Sequence, residues 1–401
     1  HQFFGRKRSL RELPAMNPEV KFTAHYFDAA IENPERLAVD ILRDALAQGE
    51  HVRALNYMKA SGASDAGIVL TDTRTGEEIT FEADAVVNAA GPWTDLTNKD
   101  LGLPSAYLGG TKGSHIVLDN PKLFEACDNR EIFFENSDGR IVLMYPLVGR
   151  VIVGTTDIPI DNPDDAECTE EEVDYFFDLA SHVFPNIALN RSQIVYRYSG
   201  VRPLPAAGDL SPGVVSRDYR IVSDELTTGQ RVLSLIGGKW TTFRALGEHL
   251  ANDTLAVLER RRSVSTVGMA IGGGKGFPAD SAGRDRWIET NRGSVTRDRA
   301  AELLLRYGTI AGGVLAHLAE AGDDLLANVP GFSAQEVLWL VRGEHVVTLA
   351  DLVFRRTLLG FTGSLSRDGV TELGGVMAAE KGWSASETAK EIASIRLEQA
   401  A

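Results

Sequence analysis

Cysteine is almost absent. The 401 residues include two, Cys127 and Cys168, both in stretches rich in Asp, Glu and Asn. Without a CxxC pair or Cys/His spacing, a disulfide framework and a zinc fold are excluded, and two free thiols of a cytosolic protein are expected. Long apolar runs are also missing: nothing approaches the roughly 20 residues that span a bilayer, and no signal peptide is recognised. Positive charge is short as well, with 41 Lys and Arg against 56 Asp and Glu for a net charge of -15. That balance argues against a nucleic-acid partner and against a broad face on anionic lipid. No GxGxxG occurs anywhere, and Gly272-Gly-Gly-Lys-Gly276 lacks the Walker spacing, so it reads as a flexible linker.

What is present is an ordinary globular composition, 43% hydrophobic and 24% charged, long enough for two or three domains. His1 to Leu10 reads as a basic, solvated connector. Asn33-Pro-Glu35 predicts a helix start by cap, N1 proline and first-turn acid. A short strand is predicted at Val52–Leu55, and a hairpin from Gly67 to Ala83 around Asp72-Thr-Arg-Thr-Gly76. Asp84-Ala-Val-Val-Asn-Ala-Ala90 predicts a buried parallel strand that stops at Gly91-Pro92, and ligands bind at such carboxyl ends. From Tyr107 to Ile221 short alternating strands predict an antiparallel domain with one helix, Thr169 to Val183, and hairpin turns at Asn136-Ser-Asp-Gly139 and Val148-Gly149. Within it Arg202 puts one guanidinium into an apolar strand, where it needs an anionic partner. The run Val232–Ile236 then ends in Gly237-Gly-Lys and opens a helix, aiming free N–H groups and the positive dipole end beyond the strand. Ala279 to Ala401 reads as helical, with capping boxes at Ser333-Ala-Gln-Glu336 and Thr348-Leu-Ala-Asp351. The Arg355-Arg356 pair is expected to bond carboxylates between helices.

Five motifs in order resemble those of the FAD-dependent, quinone-linked sn-glycerol-3-phosphate dehydrogenases: Lys112-Gly-Ser-His-Ile-Val117, Gly154-Thr-Thr-Asp157, Tyr198-Ser-Gly-Val-Arg-Pro-Leu204, Ser216-Arg-Asp-Tyr219 and Gly237-Gly-Lys-Trp-Thr-Thr-Phe-Arg244. Ala89-Ala-Gly-Pro-Trp93 resembles the wider amine and hydroxy-acid oxidase superfamily. Val341–His345 and Leu352–Thr357 resemble the C-terminal domain of the same dehydrogenases. The resemblance covers nearly the whole chain. It implies an α/β FAD-binding domain of Rossmann-like type, incomplete, from residues 1–104 and 226–265. An inserted antiparallel β substrate domain at 105–225 and an all-α domain at 279–401 complete it. The implied reaction is oxidation of sn-glycerol 3-phosphate to dihydroxyacetone phosphate, with hydride passing from C2 to FAD and electrons going on to quinone. No metal is implied.

The resemblance also implies roles. His115 is the base for the C2 hydroxyl, and Arg202 holds the C2 oxygen or phosphate, with Tyr198 beside them. Arg217 and Lys239 are further phosphate or alkoxide partners. Gly237, Gly238, Lys239, Thr241 and Thr242 cradle the flavin edge, while Val52, Ala90, Gly91 and Trp93 meet the rest of the cofactor. One departure stands out: the family's opening strand, GxGxxG and helix, its ribose acid and its Gly-Gly-x-Arg-Tyr segment are not found. A molecule lacking them is expected to bind flavin weakly or not at all and to be inactive. Two alternatives stay open: an oxygen-using glycerol-phosphate oxidase, and a non-catalytic homologue holding a phosphorylated metabolite through Arg202, Arg217 and Lys239. Attachment to the inner face of the cytoplasmic membrane and a homodimer are further expectations.

Overall fold

The computed structural model describes residues 1–135, 141–206 and 218–397. β1 (Gln2–Gly5) and β2 (Phe22–His25) pair antiparallel, with α1 (Arg6–Glu12) between them. The basic run expected to be a connector is therefore a helix, fixed by the buried Ser9 hydroxyl, which bonds Phe4 O and Thr23 Oγ1. α2 (Pro34–Leu46) starts as predicted, with Asn33 accepting from the Arg36 N–H. A sheet of β3 (Met58–Ser64), β4 (Gly67–Asp72) and β5 (Glu78–Phe81) follows. Val52–Leu55 is coil: the Val52 N–H is engaged by Gly49 O in a turn, and no strand pairs with it among the described residues.

β6 (Ala85–Asn88) leads through a 3-10 turn at Gly91–Trp93 into α3 (Thr94–Asp100). The chain then enters a largely antiparallel β unit: β7 (Thr111–Leu118), α4 (Pro121–Cys127), β8 (Ile132–Glu135), β9 (Ile141–Leu147), β10 (Arg150–Gly154), β11 (Ile158–Pro159), α5 (Glu170–Val183) and β12 (Ile194–Arg202). Its antiparallel sheet runs β11-β7-β10-β9-β8, with β12 along β7. β13 (Arg220–Glu225) pairs antiparallel with β14 (Arg231–Ile236), and β14 runs parallel to β6. Residues 220–225 thus belong to the sheet of the first unit, not to the 105–225 unit expected from sequence. α6 (Phe243–Val257) follows β14.

The C-terminal domain contains α7 (Ser281–Asn291), α8 (Arg297–Tyr307), α9 (Ala311–Ala321), α10 (Ala334–Gly343), α11 (Leu349–Asp351), a π-helical turn at Leu352–Arg356, α12 (Arg367–Lys381) and α13 (Ala385–Ser394). Thr348 and Asp351 form the predicted capping box. Ser333 caps the Glu336 N–H, but Glu336 turns inward to Arg299, Arg306 and Tyr307 instead of completing a box. Of the arginine pair, Arg356 bonds the Glu344 carbonyl and Arg355 stands 3.9 Å from Glu35.

Period-2 alternation gives β7 two working faces. Ile116 and Leu118 join the core beneath α5, with Val142, Met144, Phe176 and Phe184. Val117 faces the other way, into a cluster with Leu147, Ile152, Tyr196, Tyr198 and Phe361 that meets the helical domain. Each large side chain fully buried in these cores contributes about 1.5–3 kcal/mol. Polar clamps join the domains: Arg36 and Arg43 of α2 reach the wholly buried Glu344, and Arg150 donates to Thr362 O. Gly272-Gly273, expected to be a flexible linker, gives its N–H groups to Asp44 and Asp40, and Thr309 bonds the Gly273 and Lys275 carbonyls. The segment is pinned, and those amides are engaged by carboxylates rather than open to a phosphate.

Candidate active site

His115 and Tyr198 are direct partners across β7 and β12, so their rings lie on one face of the sheet, stacked at 4.9 Å with planes 9° apart. Four residues along β12 the same parity places Arg202 on that face. Its guanidinium donates to Thr156 O at 3.1 Å and Thr155 Oγ1 at 2.9 Å, and meets Asp157 Oδ1 at 3.3 Å. His115 Nδ1 is buried with no hydrogen-bond partner among the described residues. Burial first, and the Arg202 charge second, push the His115 pKa down to about 4. The imidazole is therefore neutral at pH 7, the state a base requires. Burial also pushes the Tyr198 phenol well up, with Glu35 and Tyr196 adding to it, so this ring is a neutral wall.

This geometry has a pH consequence. An unfolded histidine takes up its proton near 6.5, the buried one only near 4, so the unfolded state protonates first. Stability from this site is complete above about pH 6.5 and falls as pH drops through about 4, by on the order of 3 kcal/mol in all. Proton NMR of the histidine resonances, with His115→Asn for assignment, is expected to show one ring that stays neutral down to near pH 4. A midpoint at 6 or above for His115 would overturn this.

The second group of residues lies at the carboxyl edge of the parallel pair β6–β14. Both strands stop in glycines and turn into helices: Asn88 to Gly91 into α3, Ile236 to Gly238 into α6. Gly91, Gly237 and Gly238 have φ of 59°, 77° and 103°, a region that disfavours side chains. A Cβ at Gly237 would sit 3.0 Å from Asp218 O, and one at Gly238 2.9 Å from Leu246 Cδ1. α6 has neither a side-chain cap nor an acid in its first turn, and Lys239, Thr241 and Thr242 beside it are exposed. Asn88, Asn98 and Ser234 form a buried polar brace beneath this edge. Two glycine turns and an uncapped helix N-terminus at adjacent carboxyl ends fit a phosphate-bearing planar cofactor. The Gly91–Trp93 turn touches β12, and Trp93 Nε1 bonds Asp164 at 2.8 Å, which ties this edge to the antiparallel β unit.

The structure thus brings His115, Tyr198 and Arg202 together, sets Ala90, Gly91 and Trp93 beside β12, and gathers Gly237, Gly238, Lys239, Thr241 and Thr242 at the neighbouring strand end. Val52 is not part of either group: it sits in the turn after α2 with its N–H already used. Arg217, with Ser216 and the Asn136–Gly139 turn, lies outside the described residues. Sequence reasoning gave no role to two glycines inside the motifs. A Cβ on Gly113 would lie 2.3 Å from Arg202 Nη2, and one on Gly154 2.2 Å from His115 Cδ2. Both are gaps in the sheet surface that admit a functional side chain, and their only sequence signal was glycine inside a strand. Because the Gly113 clash falls on the far end of a flexible side chain, Gly113→Ala is expected to displace Arg202 at little cost in stability. Catalytic efficiency should drop by tenfold or more while the melting temperature stays within about 2 °C; unchanged efficiency would contradict the placement.

Residues 1–251 match the family "FAD dependent oxidoreductase" (DAO), and residues 233–388 match "C-terminal domain of alpha-glycerophosphate oxidase". A glycerol-3-phosphate dehydrogenase of Synechocystis sp. is 29% identical over 93% of this chain and 70% of its own length. An aerobic glycerol-3-phosphate dehydrogenase of Staphylococcus aureus is 26% identical over 89% of this chain, which spans 65% of that relative's length. The crystal structure of the Bacillus halodurans glycerol-3-phosphate dehydrogenase complexed with FAD superimposes with a TM-score of 0.82 at 26% identity, covering 98% of this chain and 77% of that one. The paired glycine turns, the neutral histidine beside an arginine and these matches lead to one conclusion: the chain belongs to the FAD-dependent oxidoreductase family.

Proposed function

We propose that this chain carries the machinery that oxidises sn-glycerol 3-phosphate to dihydroxyacetone phosphate. The carrying observation is the neutral, desolvated His115 next to the permanently charged Arg202 on one sheet face. FAD, when bound, supplies the hydride acceptor. His115 takes the C2 hydroxyl proton, and Arg202 stabilises the charge that develops on that oxygen or holds the phosphate. Lys239, exposed at the start of the turn into α6, provides a second cation for the phosphate, and Arg217 is the third in this reading. The N–H groups after Gly237 and Gly238, with Thr241 and Thr242, hold the cofactor edge, where the α6 dipole favours negative charge. Tyr198 packs against the imidazole and keeps water from it.

The test is the visible spectrum of the purified holoenzyme followed by anaerobic addition of sn-glycerol 3-phosphate. Bleaching of the flavin bands supports the reading; bands that persist under substrate overturn it. The reading includes quinone as acceptor, a homodimer, and peripheral attachment at the cytoplasmic membrane. Among the described residues no helix is long and apolar enough to cross a membrane. A second reading, transfer to oxygen, is favoured by the match of residues 233–388 to an alpha-glycerophosphate oxidase domain. Stoichiometric peroxide release during aerobic turnover would select it.

A further inference from the structure

On the face of β7 turned away from His115, a polar group sits inside an apolar core. Lys112 and Glu172 are nearly closed to solvent, their side chains 9% and 4% exposed, and Lys112 Nζ meets Glu172 Oε2 at 2.8 Å and Glu167 O at 2.6 Å. Glu172 caps its own helix by accepting the Thr169 N–H. Its other oxygen accepts from Thr156 Oγ1 at 2.5 Å, and that hydroxyl also accepts the Ser114 N–H at 3.0 Å. Burial pushes the Glu172 carboxyl up, but Lys112, Thr156 and the Thr169 N–H outweigh it and hold it below the usual carboxylate range, so the group is an anion at pH 7.

A buried pair of this kind is weak evidence for stability, since apolar replacements of similar volume often fold as well or better. What it supplies is direction. Thr156 connects the two groups: its hydroxyl is fixed to Glu172 and Ser114, while its carbonyl accepts Arg202 Nη1. The neighbouring Thr155 hydroxyl receives Arg202 Nη2, so the orientation of this dipeptide sets where the guanidinium stands. Asp157 completes the set at 3.3 Å.

We propose that Glu172, held by Lys112 and acting through Thr156, is a positioning residue for Arg202. The inference rests on the substrate role given to Arg202 under Proposed function. Neither Glu172 nor Lys112 touches substrate; both lie behind the sheet. The carboxylate must be charged to anchor the hydroxyl of Thr156, and the hydroxyl must be present to carry the constraint across the strand.

The experiment uses the holoenzyme with Thr156→Val, which keeps shape and loses the hydroxyl, Thr156→Ser, which restores it, and Glu172→Gln as an independent change. Thr156→Val and Glu172→Gln are expected to lower kcat/KM for sn-glycerol 3-phosphate by tenfold or more, with flavin content and spectrum unchanged. Thr156→Ser should return it to within about threefold of the parent. Crystal structures of the first two should show the Arg202 guanidinium displaced. An unmoved guanidinium with kcat/KM within threefold of the parent overturns the inference, as does a loss that Thr156→Ser fails to rescue. If the parent enzyme does not oxidise sn-glycerol 3-phosphate, the functional reading fails on its own, and the crystallographic comparison still decides the positioning role. Should Thr156→Val not fold, Glu172→Gln gives the same two readouts.

Discussion

Arg202→Met is expected to cut kcat/KM for sn-glycerol 3-phosphate by about 10²- to 10³-fold. Truncating one partner of a desolvated, hydrogen-bonded charge pair costs about 2–5 kcal/mol, and each 1.4 kcal/mol is tenfold. The side chain is also held as a fork, by Thr156 O, Thr155 Oγ1 and Asp157 Oδ1. A lysine brings one ammonium to that geometry and cannot reproduce it, so Arg202→Lys should recover only part of the loss. A second effect follows from the same contact. Burial is the larger cause of the low His115 pKa and the arginine charge the smaller, so removing the charge should raise the His115 midpoint while leaving it below 6.5. Anaerobic stopped-flow bleaching of the flavin gives the first result and histidine NMR the second. A tenfold or smaller change in the rate constant would take Arg202 out of the reacting centre.

Glu344→Ala should be strongly destabilising at the domain joint, by about 3 kcal/mol, because it strips the buried Arg36 guanidinium of its two-point partner and leaves it only Asp40, 3.6 Å away. Glu344 is closed to solvent and accepts from Arg36 Nη1 at 2.6 Å and Arg43 Nη1 at 3.1 Å, while Arg36 is 9% exposed. Desolvation works against the Arg36 charge, and Glu344, with Tyr307 and Asp40, more than offsets it, so the pKa of the guanidinium is raised. Arg36→Met combined with Glu344→Leu removes both charges and should recover part of the loss, Asp40 having lost its Arg36 partner, in a non-additive cycle between residues more than 300 positions apart. Equilibrium urea unfolding reads both: a single-site loss below 1 kcal/mol, or a double variant as unstable as the sum of its parts, would show that the pair does not join the domains.

Where sequence was readable, a local signal decided the matter. Alternation in Gly113–Leu118 and the apolar run before Gly237 placed β7 and β14, and the caps at Asn33 and Thr348 placed two helix starts. Local signals failed where pairing or distant partners ruled. β3, Met58 to Ser64, has almost no β-branched or aromatic residue and is a strand only because β4 offers it a ladder. Val52–Leu55 has strand-like residues and, among the described residues, no strand to pair with. The His115–Tyr198–Arg202 constellation was legible because its motifs are specific, but the group behind it was not. Nothing in the spacing of Lys112, Thr156 and Glu172 announces a single cluster; only the pairing of β10 and β11 with β7, and α5 packed behind, brings them together.

The pinned glycines have a consequence for how such a protein can change over generations. Gly272 and Gly273 are tied to Asp44 and Asp40, and Thr309 grips the same segment from the helical side. The helical domain is therefore not an interchangeable cassette strung on a slack tether. Recombination that swapped it between relatives at this seam would have to carry matching carboxylates on α2, or the junction would lose its anchor in both parents' offspring. Insertions are better tolerated at the exposed Thr75-Gly76 end of the Asp72–Gly76 hairpin, beyond Thr73 and Arg74, which contact Tyr57.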